Sequence, residues 1–235
     1  MIGMRTTSWP TLGLTAILLP SVACEQTWLS QPAYAEVNPN GSVILPCVVQ
    51  DLSGSCRWSK EGTPVGIFDG KYDWAGSVDD GDCSLIVIDA DREFDSGGWQ
   101  CAVTASSFRS KDALVSTVGI LVVRKPPSDI FIRILDGTVI DDIINVVENT
   151  SIRLECVSLG GLPPPRLFWN YTDSVQRISV SQQNNDNHSV STMAAVVKRS
   201  ADLVLVKCSV GHDALKDTME AAVNISVQCE FQCLH

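Results

Sequence analysis

The chain has 235 residues, with 27 acidic against 17 basic side chains, a formal net charge of −10 and nine cysteines. Without a basic stripe to offset phosphates, that balance argues against nucleic-acid binding, and an acidic surface otherwise serves solubility. The length leaves room for two domains of ordinary size.

Residues 1–24 read as a secretory signal peptide. Arg5 precedes the apolar run "LGLTAILLP", small residues follow, and cleavage is expected close to Ala23 or Cys24. The competing reading is an N-terminal helix packed on a core. The length of the segment, its lack of acidic residues and its small-residue end weigh against that. Beyond it no apolar run approaches about 18 residues, so no membrane span is expected. The longest candidate, "LVSTVGILVV" (114–123), is short and β-branched and reads as a strand. The chain is therefore expected to be secreted or on the extracellular face of the plasma membrane, as a soluble form or as part of something longer. In an exported chain, cysteines read as disulfide partners rather than metal ligands.

The first domain is expected over residues 27–125. "SVILPCVV" has period two and turns Val43, Leu45 and Cys47 to one face. "SCRWSK" puts Cys56 in phase with Trp58, and "GDCSLIVI" puts Cys83 in phase with Leu85 and Val87. "GWQCAVTA" sends Trp99, Cys101 and Val103 inward, leaving Gln100, Ala102 and Thr104 outward. The second domain is expected over 126–228. "TSIRLECVSL" aligns Ile152, Leu154 and Cys156, "LVLVKCSV" aligns Val204, Val206 and Cys208, and "MEAAVNISV" reads as the last strand. Residues 229–235 form a tail containing Cys229 and Cys233.

Cys47 and Cys101 lie 54 positions apart, Cys156 and Cys208 lie 52 apart, and each interval holds a tryptophan soon after its first cysteine, Trp58 and Trp169. Cys…Trp…Cys at this separation is the signature of an immunoglobulin sandwich: a disulfide joins strands B and F across the two sheets, and the indole fills the space beside it. Two such triples predict an all-β chain of tandem immunoglobulin-like β-sandwiches. The extra segments "PVGIFDG" and "YDWAG" suit a V-type first domain, and the compact second domain reads as C2 or constant-like. Cys56 on strand C and Cys83 on strand E face each other from opposite sheets. A further bridge between them is the expectation, with two separate buried thiols as the alternative.

No catalytic constellation is visible. His188, His212 and His235 are scattered, and no glycine-rich phosphate loop occurs. "SVDDGDC" reads as a solvated turn between strands D and E. The expectation is a non-enzyme with no cofactor, metal or small-molecule substrate. Lys71 and Asp95 are placed as an exposed ion pair at the base of the first domain, worth at most about 1 kcal/mol. Five sequons occur, at Asn40, Asn149, Asn170, Asn187 and Asn224, four of them in the second domain. In the tail, Cys229 and Cys233 are expected to bridge each other in a small loop. A covalent dimer and no fixed pairing are the alternatives.

The stretches "GSVILPCVV", "CRWSKEGTPVGIF" and "KYDWAGSVDDGDCSLIVIDADREFDSGGWQC" resemble the N-terminal V-type domain of the nephrin and Kirre/Roughest-like group of cell-adhesion proteins. "ENTSIRLECVSLGGLPPPRLFWN" resembles the start of that group's second domain. The resemblance implies binding to an immunoglobulin-superfamily cell-surface protein, itself or a relative, through the outward face of the first domain's C–F–G sheet. That face would hold Arg57, Ser59, Gln100, Ala102 and Thr104, with Ile67 and Phe68 on strand C′ and Trp74 just beyond as an aromatic anchor. Trp74 packed beneath the C′–D turn, and Arg57 and Gln100 as plain solvated face, are the competing readings. The chain departs from the group in Trp99, where a tyrosine is usual, in Arg57, where glutamine is usual, and in the Cys56 and Cys83 pair. Cell–cell adhesion is the function implied; a secreted soluble binding protein, decoy or humoral factor is the alternative, and a non-functional truncated product the third reading.

Overall fold

The computed structural model describes residues 25–228, so the signal segment, Cys24, Cys229 and Cys233 lie outside the described residues. The first sandwich is built from β1 (Thr27–Ser30), β2 (Ala35–Val37), β3 (Val43–Leu45), β4 (Val48–Gln50), β5 (Cys56–Lys60), β6 (Thr63–Val65), β7 (Tyr72–Trp74) and β8 (Leu85–Val87). A single helical turn, α1 (Arg92–Asp95), precedes β9 (Gly97–Val103), β10 (Leu114–Val115) and β11 (Gly119–Val123). One sheet runs β2-β11-β9-β5-β6 with β10 also on β9; the other runs β3-β8-β7, and β1 pairs with β4.

In immunoglobulin terms β5, β9 and the broken β10–β11 strand are C, F and G, and β6 is C′. After β6 the chain turns back through mutual backbone hydrogen bonds between Phe68 and Tyr72. "YDW" therefore forms β7 on the far sheet, paired with β8, rather than a further strand beside C′. Alternation decides what is buried: Trp99 and Cys101 from β9 meet Leu45, Cys47, Leu85 and Val87 in the core, and Val103 is buried in the same phase.

Two disulfides cross this core. Cys47–Cys101 has its Cα atoms 6.4 Å apart and Cys56–Cys83 6.2 Å. The Cys83 carbonyl accepts a hydrogen bond from the Trp58 indole at 2.9 Å, and the Cys83 amide donates to the Cys47 carbonyl at 2.8 Å. The two bridges are thus tied through the backbone.

Trp99 keeps the structural service of the residue it replaces. Two positions before the strand F cysteine, a tyrosine hydroxyl in this fold bonds back to upstream backbone. Here the Trp99 indole donates to the Asp95 carbonyl at 2.8 Å. The hydroxyl comes from Tyr72, whose ring meets Trp99 edge-on at 5.5 Å and whose OH donates to Asp95 at 2.5 Å. Burial, reinforced by this bond and by the Asp95 charge, drives the Tyr72 phenol well above its ordinary value.

The Lys71–Asp95 pair differs from its expectation as an exposed contact. Asp95 is wholly buried and accepts from Lys71 at 2.6 Å, Tyr72 and the Asp91 amide. Removing the cation would strand a buried carboxylate, which makes the pair a structural element rather than a rim contact.

The second sandwich comprises β12 (Lys125–Ile134), β13 (Ile143–Val147), β14 (Ser151–Leu162), β15 (Arg166–Asn170), β16 (Val175–Asn184), β17 (His188–Val197), β18 (Val204–Gly211) and β19 (Met219–Gln228). Its sheets run β12-β14-β17-β16 and β13-β19-β18-β15, with β13 parallel to β19. No C′ strand follows β15, so the seven-strand constant-type layout applies, with the first strand split between sheets. Cys156–Cys208 joins them, Cα atoms 6.3 Å apart. Trp169 packs against this core but stays half-buried, its indole donating to Ser191 Oγ at 3.1 Å.

Between the sandwiches stands Arg124. It bonds Glu36 at 2.8 Å on the first domain and Asp213 at 3.1 Å on the second.

Candidate functional site

The outward face of β6-β5-β9-β10 is set by register. Arg57 lies opposite Ala102, Ala102 opposite Val115, Ser59 opposite Gln100 and Pro64 opposite Ser59. Of the residues expected here, Arg57, Ser59, Gln100 and Ala102 do share the face. Ala102, the smallest side chain, lies between an exposed cation and an exposed aliphatic group. Val115 is 66% exposed, and Val118 and Ile120 continue the apolar strip along the broken G strand. Among the described residues Arg57 makes no ion pair.

Gln100 does not project freely. Its amide donates to the Ser116 carbonyl at 2.8 Å, while Ser116 Oγ accepts from the Cys101 amide at 3.0 Å. Gln100 and Ser116 thereby hold the break between β10 and β11 in place. Thr104 is likewise engaged: its Oγ1 accepts from the Ser55 amide at 2.8 Å. Gly54 packs against it so closely that a Cβ would sit 1.9 Å from the Thr104 carbonyl oxygen.

Three expected members leave the face. Trp74 lies on β7 in the opposite sheet, opposite Leu85 and packed against the core, because its strand pairs with β8. Ile67 and Phe68 fall beyond the end of β6. Phe68 packs edge-on over Tyr72, with ring centroids 6.3 Å apart, at the margin of the sandwich. Local pattern places an apolar residue in a strand, but only pairing decides which sheet receives it.

Gln26, absent from the sequence expectations, organises the end of the face. Buried, it uses its whole amide: Oε1 accepts from the Ser53 and Gly54 amides at 2.9 and 2.7 Å. Nε2 donates to the Thr104 and Asp112 carbonyls at 3.1 and 2.9 Å. The B–C and F–G loops are thus fastened together through one side chain. Asp112 accepts from the Ser106 amide at 3.0 Å, and hydrogen bonding from Ser106 holds its carboxyl below the usual range. On this fixed base the F–G loop presents Phe108, 92% exposed, with the Arg109 guanidinium 4.9 Å from its ring centroid. Neither Gln26 nor Phe108 carries a periodic signal, and Val115 and Ile120 have opposite parity in "LVSTVGILVV", so only the break between β10 and β11 turns both outward.

The domain junction forms a cleft of about 490 Å³, bordered by Arg124, Pro163, Arg166, Phe168 and His212. Tyr34 donates to Glu36 at 2.6 Å. This bond and that from Arg124 hold the Glu36 carboxyl below its ordinary value, while the Tyr34 phenol is raised. Asn40 and Asn149 occupy exposed turns with φ of 61° and 62°. Asn170 and Asn187 are also exposed, whereas Asn224 is half-buried in the middle of β19. No group of three or more potential metal ligands occurs among the described residues. No helix there is long and apolar enough to cross a membrane.

A profile of the CD80-like C2-set immunoglobulin domain matches residues 140–218. Kin of IRRE-like protein 1 of Rattus norvegicus is 27% identical over 224 residues, covering 90% of this chain and 26% of that protein. The chain carries a C2-set immunoglobulin domain and is similar to Kin of IRRE-like protein 1. Irregular chiasm C-roughest protein of Drosophila melanogaster is 31% identical over 133 residues, 54% of this chain and 16% of its own length. The chain thus spans about a quarter or less of the curated relatives it matches. The crystal structure of Rst D1-D2 superposes with a TM-score of 0.57 at 24% identity, covering 87% of this chain and all of that one. That likeness establishes the tandem-sandwich fold.

Proposed function

We propose that this immunoglobulin-superfamily relative is an extracellular recognition module that mediates cell–cell adhesion. It binds an immunoglobulin-type cell-surface protein, itself or a relative, through the outward β5–β9–β10–β11 face of its first domain. The observation that carries this reading is the Arg57–Ala102–Val115 row. A small residue at the centre of the sheet admits a partner side chain, the aliphatic strip supplies apolar area, and a guanidinium without an ion pair among the described residues calls for a carboxylate opposite. Kinship with the Kin of IRRE-like and roughest proteins supports adhesion as the purpose. Sequon placement supports the choice of domain, since the first domain's single sequon, Asn40, sits at the β2–β3 turn.

The test displays the secreted two-domain protein on beads. The beads are challenged with themselves and with cells each expressing one immunoglobulin-superfamily ectodomain. Ala102→Asp should abolish whatever capture the wild type shows while leaving its thermal melt in place. Undiminished capture by that variant would remove this face from consideration.

A further inference from the structure

The sheet β13-β19-β18-β15 of the second domain has an outward face of its own. On it, Asn224 of β19 lies directly opposite Leu205 of β18 on one side and Ile143 of β13 on the other. Val223 and Ile225, its chain neighbours, point into the core, so Asn224 and Ser226 point out. The two flanking residues are exposed large aliphatics, Ile143 at 54% and Leu205 at 41%, and Leu203, at the near end of β18, is 75% exposed. The other half of the face, nearer the first domain, is mixed: it holds Phe168, 53% exposed, beside charged residues. Lys207 pairs with Glu220 at 3.1 Å and lies opposite Asn170. An aliphatic row on a sheet whose edge strand is β13 invites association. At its centre stands an asparagine in the sequon Asn-Ile-Ser.

We infer that Asn224 carries an N-linked oligosaccharide that covers this aliphatic row and keeps the second domain from self-associating through it. In the transfer, the Asn224 amide nitrogen forms a bond to the anomeric carbon of an oligosaccharide borne on a lipid pyrophosphate. The sugar–phosphate bond breaks, and the amide proton leaves with the lipid pyrophosphate. The acceptor is the nascent chain, before β19 is enclosed between β13 and β18. The glycan then projects from the middle of the sheet over Ile143 and Leu205, where a bulky solubilising group has the most apolar surface to cover. Asn170, on the edge strand of the same sheet, lies opposite Lys207 and beside Phe168 rather than between two aliphatic side chains. The inference stands apart from the role given to the first domain, because it concerns a different sheet and needs no partner.

The experiment uses the protein secreted from glycosylating cells. Glycopeptide mass spectrometry should find Asn224 occupied. Trimming the folded protein with an endoglycosidase under native conditions should shift it from monomer to dimer or larger species in sedimentation velocity. Leu205→Lys should restore the monomer after the same trimming. Ser226→Ala should reproduce the association without any enzyme, and Thr172→Ala, which removes only the Asn170 sequon, should not. If Ser226→Ala fails to be secreted, the trimmed wild type decides. An unmodified Asn224 overturns the inference, and a wild type that also dimerises through this face would assign it to a second copy of the chain instead. A trimmed protein that stays monomeric overturns it too, as does association that Leu205→Lys leaves unchanged.

Discussion

The two sandwiches share a topology and differ in how each is held and what each leaves bare. The first joins its sheets twice, through Cys47–Cys101 and Cys56–Cys83, and adds β6 to the C–F–G sheet. It fastens two loops with Gln26 and buries Asp95 at its base. The second has, among the described residues, one bridge and relies on long strands such as β14 and β17, and it carries sequons at Asn170 and Asn224 on the sheet that corresponds to the first domain's open face. The comparison teaches that one fold can dispose of the same sheet in two ways. In the first domain the outward face is rigidified and left without a sequon. In the second it offers an aliphatic row with an acceptor asparagine in its centre.

The disulfides offer the largest test of this asymmetry. Replacing Cys156 and Cys208 with alanine should cost the second domain about 2–5 kcal/mol and abolish its calorimetric transition at body temperature. Replacing Cys47 and Cys101 should cost the first domain less, because Cys56–Cys83 still joins its sheets. Equal losses would show that the additional bridge does not share the work.

Next comes the buried carboxylate. Lys71→Met leaves Asp95 without its cation and should destabilise the first domain by about 3 kcal/mol, measured by chemical denaturation, while the second domain's transition stays in place. Gln26→Ala leaves the Ser53 and Gly54 amides without their acceptor. A loss of about 1–3 kcal/mol is expected. Hydrogen exchange should accelerate at both amides and in the F–G loop, a change that a purely local defect near Gln26 would not produce.

A pair of surface charges sharpens the contrast between faces. Ala102→Asp and Ala222→Asp each put a carboxylate on the outward face of a G–F–C sheet, and neither should move stability by more than about 0.5 kcal/mol. Only the first is expected to affect capture of a partner.

The smallest effect belongs to the junction. The folded-state pKa of Glu36 is depressed, so its contribution is present above the unfolded value, about 4.3, and is lost as pH falls through the folded one. Wild type and Glu36→Gln should therefore differ by less than about 1 kcal/mol at neutral pH, with the gap closing on acidification. A gap that widened in acid would reverse the assignment.

Much of this was legible in the chain itself. Period-two alternation and two Cys…Trp…Cys intervals specify paired sheets with a disulfide between them, because a strand's inward phase depends only on its own residues. The same phase argument turned Cys56 and Cys83 toward a common core and placed Arg57, Ser59, Gln100 and Ala102 outward. What only the tertiary structure decided was the company each strand keeps. "YDW" became β7 because it pairs with β8, which carried Trp74 to the far sheet, and Phe68 turned onto Tyr72 instead of joining β6. Asp95 became a buried acceptor once Lys71, Tyr72 and the Asp91 amide converged on it, and Gln26 became a clasp once two loops met at its amide. Alternation is a local property of the chain and can be read from it, whereas pairing, burial of a charge and closure of loops depend on residues up to 86 positions apart that meet only in the folded protein.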